Sequence, residues 1–195
     1  MEKDQLNNHF KVILIGGSAG SLDVLMKVLP RLPEKINFAL VLILHRKGGG
    51  DTILEELIAL KTSIPVITVD DKTPMQPGCI YIAPSDYHLL FEKNRLLALD
   101  ASEKINFSRP SIDVSFESAA ESYAHDVIAI LLSGANADGT NGLQAVKEHG
   151  GLIAVQNPET AEMDYMPRYA IQNLVPDYIL EIDGILELLF RFNNY

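Results

Sequence analysis

The chain has 195 residues, 47% of them apolar and 22% charged, a composition that excludes disordered and fibrous classes and fits one globular domain. Its 26 acidic and 16 basic side chains give a net charge of −10, which excludes nucleic-acid binding through bulk electrostatics. A single cysteine, Cys79, excludes a disulfide scaffold and points to a reducing, cytoplasmic compartment, and no apolar run reaches the ~20 residues that cross a bilayer.

Residues 1–10 are polar and carry no signal-peptide core; they read as a tail ahead of a single domain over 11–195. Residues 12–15 form a β-branched run that predicts a buried strand. Gly16-Gly17-Ser18-Ala19-Gly20-Ser21 follows, and then Leu22, Leu25, Met26 and Leu29 recur with helical spacing. Residues 38–44 are fully apolar and predict a second strand. Asp51 is placed to cap a helix that carries Ile53, Leu54, Leu57 and Ile58.

A short strand is expected at 64–69. Three further runs, at 79–82, 88–91 and 95–99, have connections too short for parallel crossovers and predict an antiparallel excursion. Cys79 adjoins one of these runs and reads as strand packing rather than as a nucleophile. Ile112, Phe116, Ala119, Ala120 and Tyr123 mark an amphipathic helix. Residues 127–132 predict a third apolar strand, followed by a polar loop and a helix over 140–149. Strands at 152–155 and 178–182 and helices at 166–174 and 185–192 complete the pattern. This alternation predicts an α/β fold. A doubly wound, mostly parallel sheet would carry helices on both faces as three α/β/α layers, with ligands bound beyond the carboxyl ends of the strands.

Three polar groups stand at such strand ends. Ser18 occupies a G-x-S-x-G turn between strand and helix, where small neighbours allow a sharp turn and a helix N-terminus favours a developing oxyanion. The same turn could simply pack helix on strand, or it could cradle a phosphate as part of a nucleotide-binding module. It is neither a Walker loop nor a strict G-x-G-x-x-G. His45 follows the second apolar strand directly. Asp138 lies in the loop after the third and could alternatively cap the helix from Thr140; Asp113 and Asp164 read as helix-start residues. A serine hydroxyl needs a base, and the base needs a carboxylate to fix its tautomer, so the three strand ends supply one of each. The chain order Ser, His, Asp differs from that of α/β-hydrolases. His45-Arg46-Lys47 and Arg168 are candidates for a basic patch near the strand ends, with ordinary solvated charge as the simpler account.

These residues carry a resemblance. Ile15-Gly16-Gly17-Ser18-Ala19-Gly20, His45, Tyr81-Ile82-Ala83-Pro84 with His88, and Arg109-Pro110-Ser111-Ile112-Asp113 are similar to the catalytic domain of the chemotaxis-type protein-glutamate methylesterases, the CheB family. So are Leu132-Ser133-Gly134, Asp138-Gly139-Thr140, Gln156-Asn157-Pro158-Glu159 and Met166-Pro167-Arg168. The resemblance implies Ser18 as nucleophile, His45 as general base and Asp138 as orienting carboxylate, with backbone groups of Ala19 and Ala135 at the oxyanion hole. It implies glutamate γ-methyl esters on chemoreceptor cytoplasmic helices as substrate, deamidation of receptor glutamines as a second activity, and no metal or organic cofactor. Ala19 stands where many members have threonine. Family members usually carry an N-terminal phosphorylatable receiver domain, and only about ten residues precede the first strand here. A separate receiver or a methyltransferase is therefore a partner to consider. A catalytically inactive, partner-binding relative is the alternative from a different class.

Overall fold

The computed structural model describes residues 10–46 and 52–193. Asp51, Lys47, His9 and most of the expected N-terminal tail lie outside the described residues. The elements run in chain order as β1 (Val12–Gly17), α1 (Ser21–Val28), β2 (Ala39–Leu44), α2 (Ile53–Ala59), β3 (Val66–Thr68), β4 (Thr73–Pro74), β5 (Ile80–Ile82), β6 (His88–Phe91) and β7 (Leu96–Asp100). They continue as α3 (Ile112–Tyr123), β8 (Val127–Leu131), α4 (Thr140–Glu148), β9 (Leu152–Gln156), α5 (Tyr165–Asn173), β10 (Tyr178–Leu180) and α6 (Ile182–Asn193).

Seven strands form one parallel sheet in the order β10-β9-β8-β1-β2-β5-β3. The apolar runs read as strands are apolar because both faces of this sheet are covered. Alternate residues of β1 show it. Val12 and Leu14 face a core shared with Phe116 of α3, Leu143 of α4 and Met166 of α5. Ile13 and Ile15 face the opposite core, with Leu25 of α1, Ile58 of α2 and Leu186 of α6. The result is the expected three-layer α/β architecture.

One expectation is corrected. The run at 79–82 does not belong to the antiparallel excursion: β5 pairs in parallel with both β2 and β3. Its three residues are all buried, so it is an interior strand of the main sheet rather than part of a hairpin. The excursion consists instead of β4, β7 and β6, paired antiparallel. The short links around β6 and β7 enforce that pairing, whereas the chain between β3 and β5 is long enough for a parallel return.

The strand order also sets where chemistry can occur. β1 lies between β2 and β8, so the chain leaves β1 toward one neighbour and meets the other only after the excursion and α3. Such a reversal opens a crevice at the carboxyl ends of the strands.

Candidate active site

The hydrogen-bond ladder of the sheet runs beyond the strands and fixes the site's backbone. Ser18 N donates to Ser133 O at 2.9 Å on the β8 side, and His45 N donates to Gly17 O at 3.0 Å on the β2 side. Ser18, His45 and the loop leading to Asp138 therefore leave three adjacent strands side by side. Ser133 is fully buried and works as a staple. Its hydroxyl donates to Ala19 O at 2.7 Å, it accepts from Met163 N at 2.9 Å, and its own N–H donates to Gln156 Oε1 at 2.9 Å.

The turn after Ser18 demands glycine twice. Gly20 has φ +80°, and a Cβ there would lie 2.6 Å from Ser133 Oγ and 2.6 Å from Glu162 Cβ. Gly134 passes so close to the turn that a Cβ on it would meet Ser18 Cβ at 3.1 Å and Met166 Cε at 2.5 Å.

Asp138 is fully buried and surrounded by donors. His45 Nε2 donates to its Oδ2 at 2.7 Å, and Ile112 N donates to the same oxygen at 2.7 Å. Ser111 Oγ at 3.0 Å, Asp113 N at 3.1 Å and Asn106 Nδ2 at 3.4 Å approach Oδ1. Burial pushes this carboxyl up, but the bonds from His45 and from the backbone of Ile112 and Asp113 outweigh it and hold it below its ordinary range. An ionised carboxylate only accepts, so Nε2 is the nitrogen that donates to Asp138, and in a neutral imidazole this leaves Nδ1 as the acceptor. Ser108 Oγ and Asn136 Nδ2 stand 3.4 and 3.5 Å from Nδ1, too far for strong bonds.

Ser18 and His45 line one cavity of about 290 Å³ together with Ser21, Leu22, Leu54 and Arg46. Among the described residues no hydrogen bond joins Ser18 Oγ to His45, as is common for catalytic pairs without substrate. Ser18 O is instead occupied, accepting from Ser21 N at 3.1 Å and Ser21 Oγ at 2.5 Å. The N–H of Ser18 is spent on Ser133 O and that of Ser21 inside the turn, which removes two donors that a phosphate cradle would need. Both Ala19 and Ala135 are exposed, and among the described residues no protein acceptor takes either N–H.

Asp138 does not cap α4. The residue before that helix is Gly139, in left-handed conformation, and the cap comes from Asp113. Asp113 Oδ1 accepts from Gly139 N and Gly142 N, each at 2.8 Å. The two carboxylates exchange helices: Asp138, just ahead of α4, serves the N-terminus of α3, and Asp113, in the first turn of α3, serves that of α4. Asp113 was expected only as a helix-start residue. Its carboxyl is pushed up to about 6, first by burial and then by the charge of Asp138.

His88 is buried and accepts from Ser111 N at 3.1 Å through Nδ1, while Nε2 donates to Glu103 O at 2.9 Å. It holds the residue that holds Asp138. Spacing could not reveal this, because the partners lie 15 and 23 positions away. Arg168 does not join a basic patch at the site. Asp164 and Glu159 pair with it at 2.8 and 3.2 Å, and the cations beside His45 are Arg46, Lys104 and Arg109. Cys79 is buried in the core formed by Met75, Tyr81 and their neighbours.

Comparison with known proteins identifies the family and the fold. The family model described as CheB methylesterase matches residues 13–189. The chain belongs to the CheB methylesterase family. A CheB methylesterase catalytic domain from Thermotoga maritima, known from its crystal structure, superimposes with a TM-score of 0.89 at 32% identity, covering 94% of this chain and 98% of that one. The protein-glutamate methylesterase/protein-glutamine glutaminase of the same organism is 33% identical over 184 residues, which are 93% of this chain but 54% of the relative. A relative from Leptospira interrogans, whose name gives the same two activities provisionally, is 39% identical over 186 residues and is covered to 96%. Among the described residues of this CheB-family chain, no helix is long and apolar enough to cross a membrane.

Proposed function

We propose that this protein is a serine hydrolase of glutamate side-chain derivatives, acting through Ser18, His45 and Asp138. Its substrates are γ-methyl esters of glutamate on the cytoplasmic helices of chemoreceptors, and it deamidates receptor glutamines by the same route. Residues 11–195 are the catalytic unit, and its setting is the cytoplasm. The observation that carries this reading is the His45–Asp138 bond of 2.7 Å, whose other side opens on the cavity lined by Ser18.

His45 Nδ1 takes the proton of Ser18 Oγ as that oxygen attacks the ester carbonyl. The oxyanion that forms is met by the N–H groups of Ala19 and Ala135. The imidazolium, steadied by Asp138, passes its proton to the departing methoxide, and methanol leaves. Water then attacks the acyl-serine with His45 again as base, restoring Ser18 and freeing the glutamate carboxylate. With a glutamine substrate the departing group is ammonia.

Ser18→Ala tests this directly. The variant keeps its melting temperature and loses methanol release from methylated receptor by roughly 10⁴-fold or more. Near wild-type release would end the proposal.

A further inference from the structure

Arg46 follows His45 directly, and the two residues line both the cavity shared with Ser18 and a second one of about 400 Å³. Its side chain is only 15% exposed, and its pairing with Glu55 Oε1 at 2.7 Å fixes the guanidinium. Among the described residues its Nε and Nη1 meet no acceptor, and neither does Nε of Arg109. A buried donor left unpaired costs about 1–3 kcal/mol, so the two guanidiniums are held beside the cavity at a cost to stability.

Among the described residues the second cavity is lined by His45, Arg46, Lys104, Phe107, Ser108 and Arg109, with Asp86 as the one lining carboxylate and Glu55 paired to Arg46 beside it. Three cations thus meet beside the site in a chain whose net charge is −10. Arg109 is aimed by bonds from Nη1 to Ala101 O at 2.7 Å and Ser102 O at 2.5 Å. Phe107 stands at the rim, 98% exposed, on a turn closed by Ile105 and Ser108. Its φ of +62° is a conformation that a bulky side chain holds only under local constraint. Asn106 beside it anchors the turn to Asp113 at 3.2 Å and to Asp138 at 3.4 Å.

We infer that this cavity is a subsite for an acidic side chain of the substrate polypeptide, one that lies within a helical turn of the reacting glutamyl ester. Its carboxylate is held by the positive charges of Arg46, Arg109 and Lys104 that line the cavity, while Phe107 rests on an apolar residue of the same segment. The inference rests on the esterase reading above and adds what the enzyme reads around the ester. It also offers a way for a protein with a surplus of acids to engage an acidic partner: attraction is local, where Arg46, Lys104 and Arg109 line the cavity.

Two helical peptides carrying one glutamate γ-methyl ester, with glutamate or glutamine one turn away, provide the test. The wild-type protein hydrolyses the glutamate peptide with a kcat/KM at least tenfold higher, chiefly through KM, and added salt narrows the gap. In Arg46→Gln the ratio collapses toward one. Lys104 is exposed, so Lys104→Glu gives a second variant that folds independently of the buried Arg46–Glu55 pair, and it also shrinks the ratio. Equal hydrolysis of both peptides by the wild type overturns the subsite and leaves the esterase reading intact, as does a ratio unchanged in both variants. Failure to hydrolyse either peptide overturns the esterase reading and the subsite with it.

Discussion

The two sides of His45 are built on opposite rules. Toward Asp138 every position is filled: five donors converge on one buried carboxylate, from His45, Ser111, Ile112, Asp113 and Asn106. Toward Ser18 and Arg46 the protein leaves its groups open. Nδ1 has no close partner, the N–H groups of Ala19 and Ala135 meet no protein acceptor among the described residues, and a guanidinium is buried with donors unpaired. The filled side fixes the geometry of the imidazole before substrate arrives. On the mechanism proposed above, the open side holds polar groups whose partners come with the substrate, which is how a site favours a transition state over water.

The largest effect on the filled side comes from Asp138→Asn. An asparagine there offers one acceptor oxygen and an N–H₂ group that faces donors. The imidazole loses the partner that fixes its tautomer, so kcat falls by roughly 10⁴-fold, the magnitude of this substitution in a serine-protease triad. Stability also falls, by about 1–3 kcal/mol, because a buried backbone N–H of Ile112 or Asp113 is left without an acceptor. Steady-state kinetics paired with thermal melts measure both. A variant with normal kcat would mean that the carboxylate only caps α3.

The parts of this arrangement differ in how far the sequence discloses them. β1, β2 and β8 are legible because both faces of each are buried, which leaves uninterrupted apolar runs, and Ser18, His45 and Asp138 are legible because they follow those runs. Their adjacency depends on strand order, which doubly wound sheets share, so it could be expected as well. β5 is too short to show a period, and its pairing with β2 and β3 is set by core contacts far away in sequence. The exchange of helix caps between Asp113 and Asp138 spans 25 and 26 positions and leaves no local trace beyond an acid at each helix start. The cations of the site suffered the same fate. Arg168 lies closer in motif but is consumed by Asp164 and Glu159, whereas Lys104 and Arg109 reach His45 only through the folding of the excursion.

A smaller effect separates the two carboxylates by pH. The folded protein holds the proton of Asp113 up to about 6, against an ordinary value of 3.8. The native state therefore binds this proton more tightly than the unfolded chain. That contribution to stability is present below ~4 and is lost as pH rises through ~6. Asp138, held low, works in the opposite sense: its contribution is present above the ordinary value and is lost as pH falls. Asp113→Asn keeps an acceptor for Gly139 and Gly142, which share one oxygen, and removes the buried charge. The variant should match the wild type near pH 3.5 and gain on it by pH 7, by up to ~3 kcal/mol. Thermal or urea melts across that window check it. A stability difference that does not change with pH would show that Asp113 titrates no differently in the folded protein.

Ser111→Ala is the mildest perturbation of the filled side. Ser111 is fully buried and does two things: its hydroxyl donates to Asp138 Oδ1 at 3.0 Å and accepts from Val114 N at 3.4 Å as the cap of α3. Loss of the cap costs about 1 kcal/mol, which lowers the melting temperature by roughly 2–4 °C. Loss of one donor from a carboxylate that keeps four others should lower kcat by about fivefold, with KM unchanged. The two readouts separate the roles. A lowered melting temperature with normal kcat would make Ser111 a cap alone. A loss of kcat as large as that of Asp138→Asn would mean that a single hydroxyl, rather than the shared set of donors, aims the carboxylate at His45.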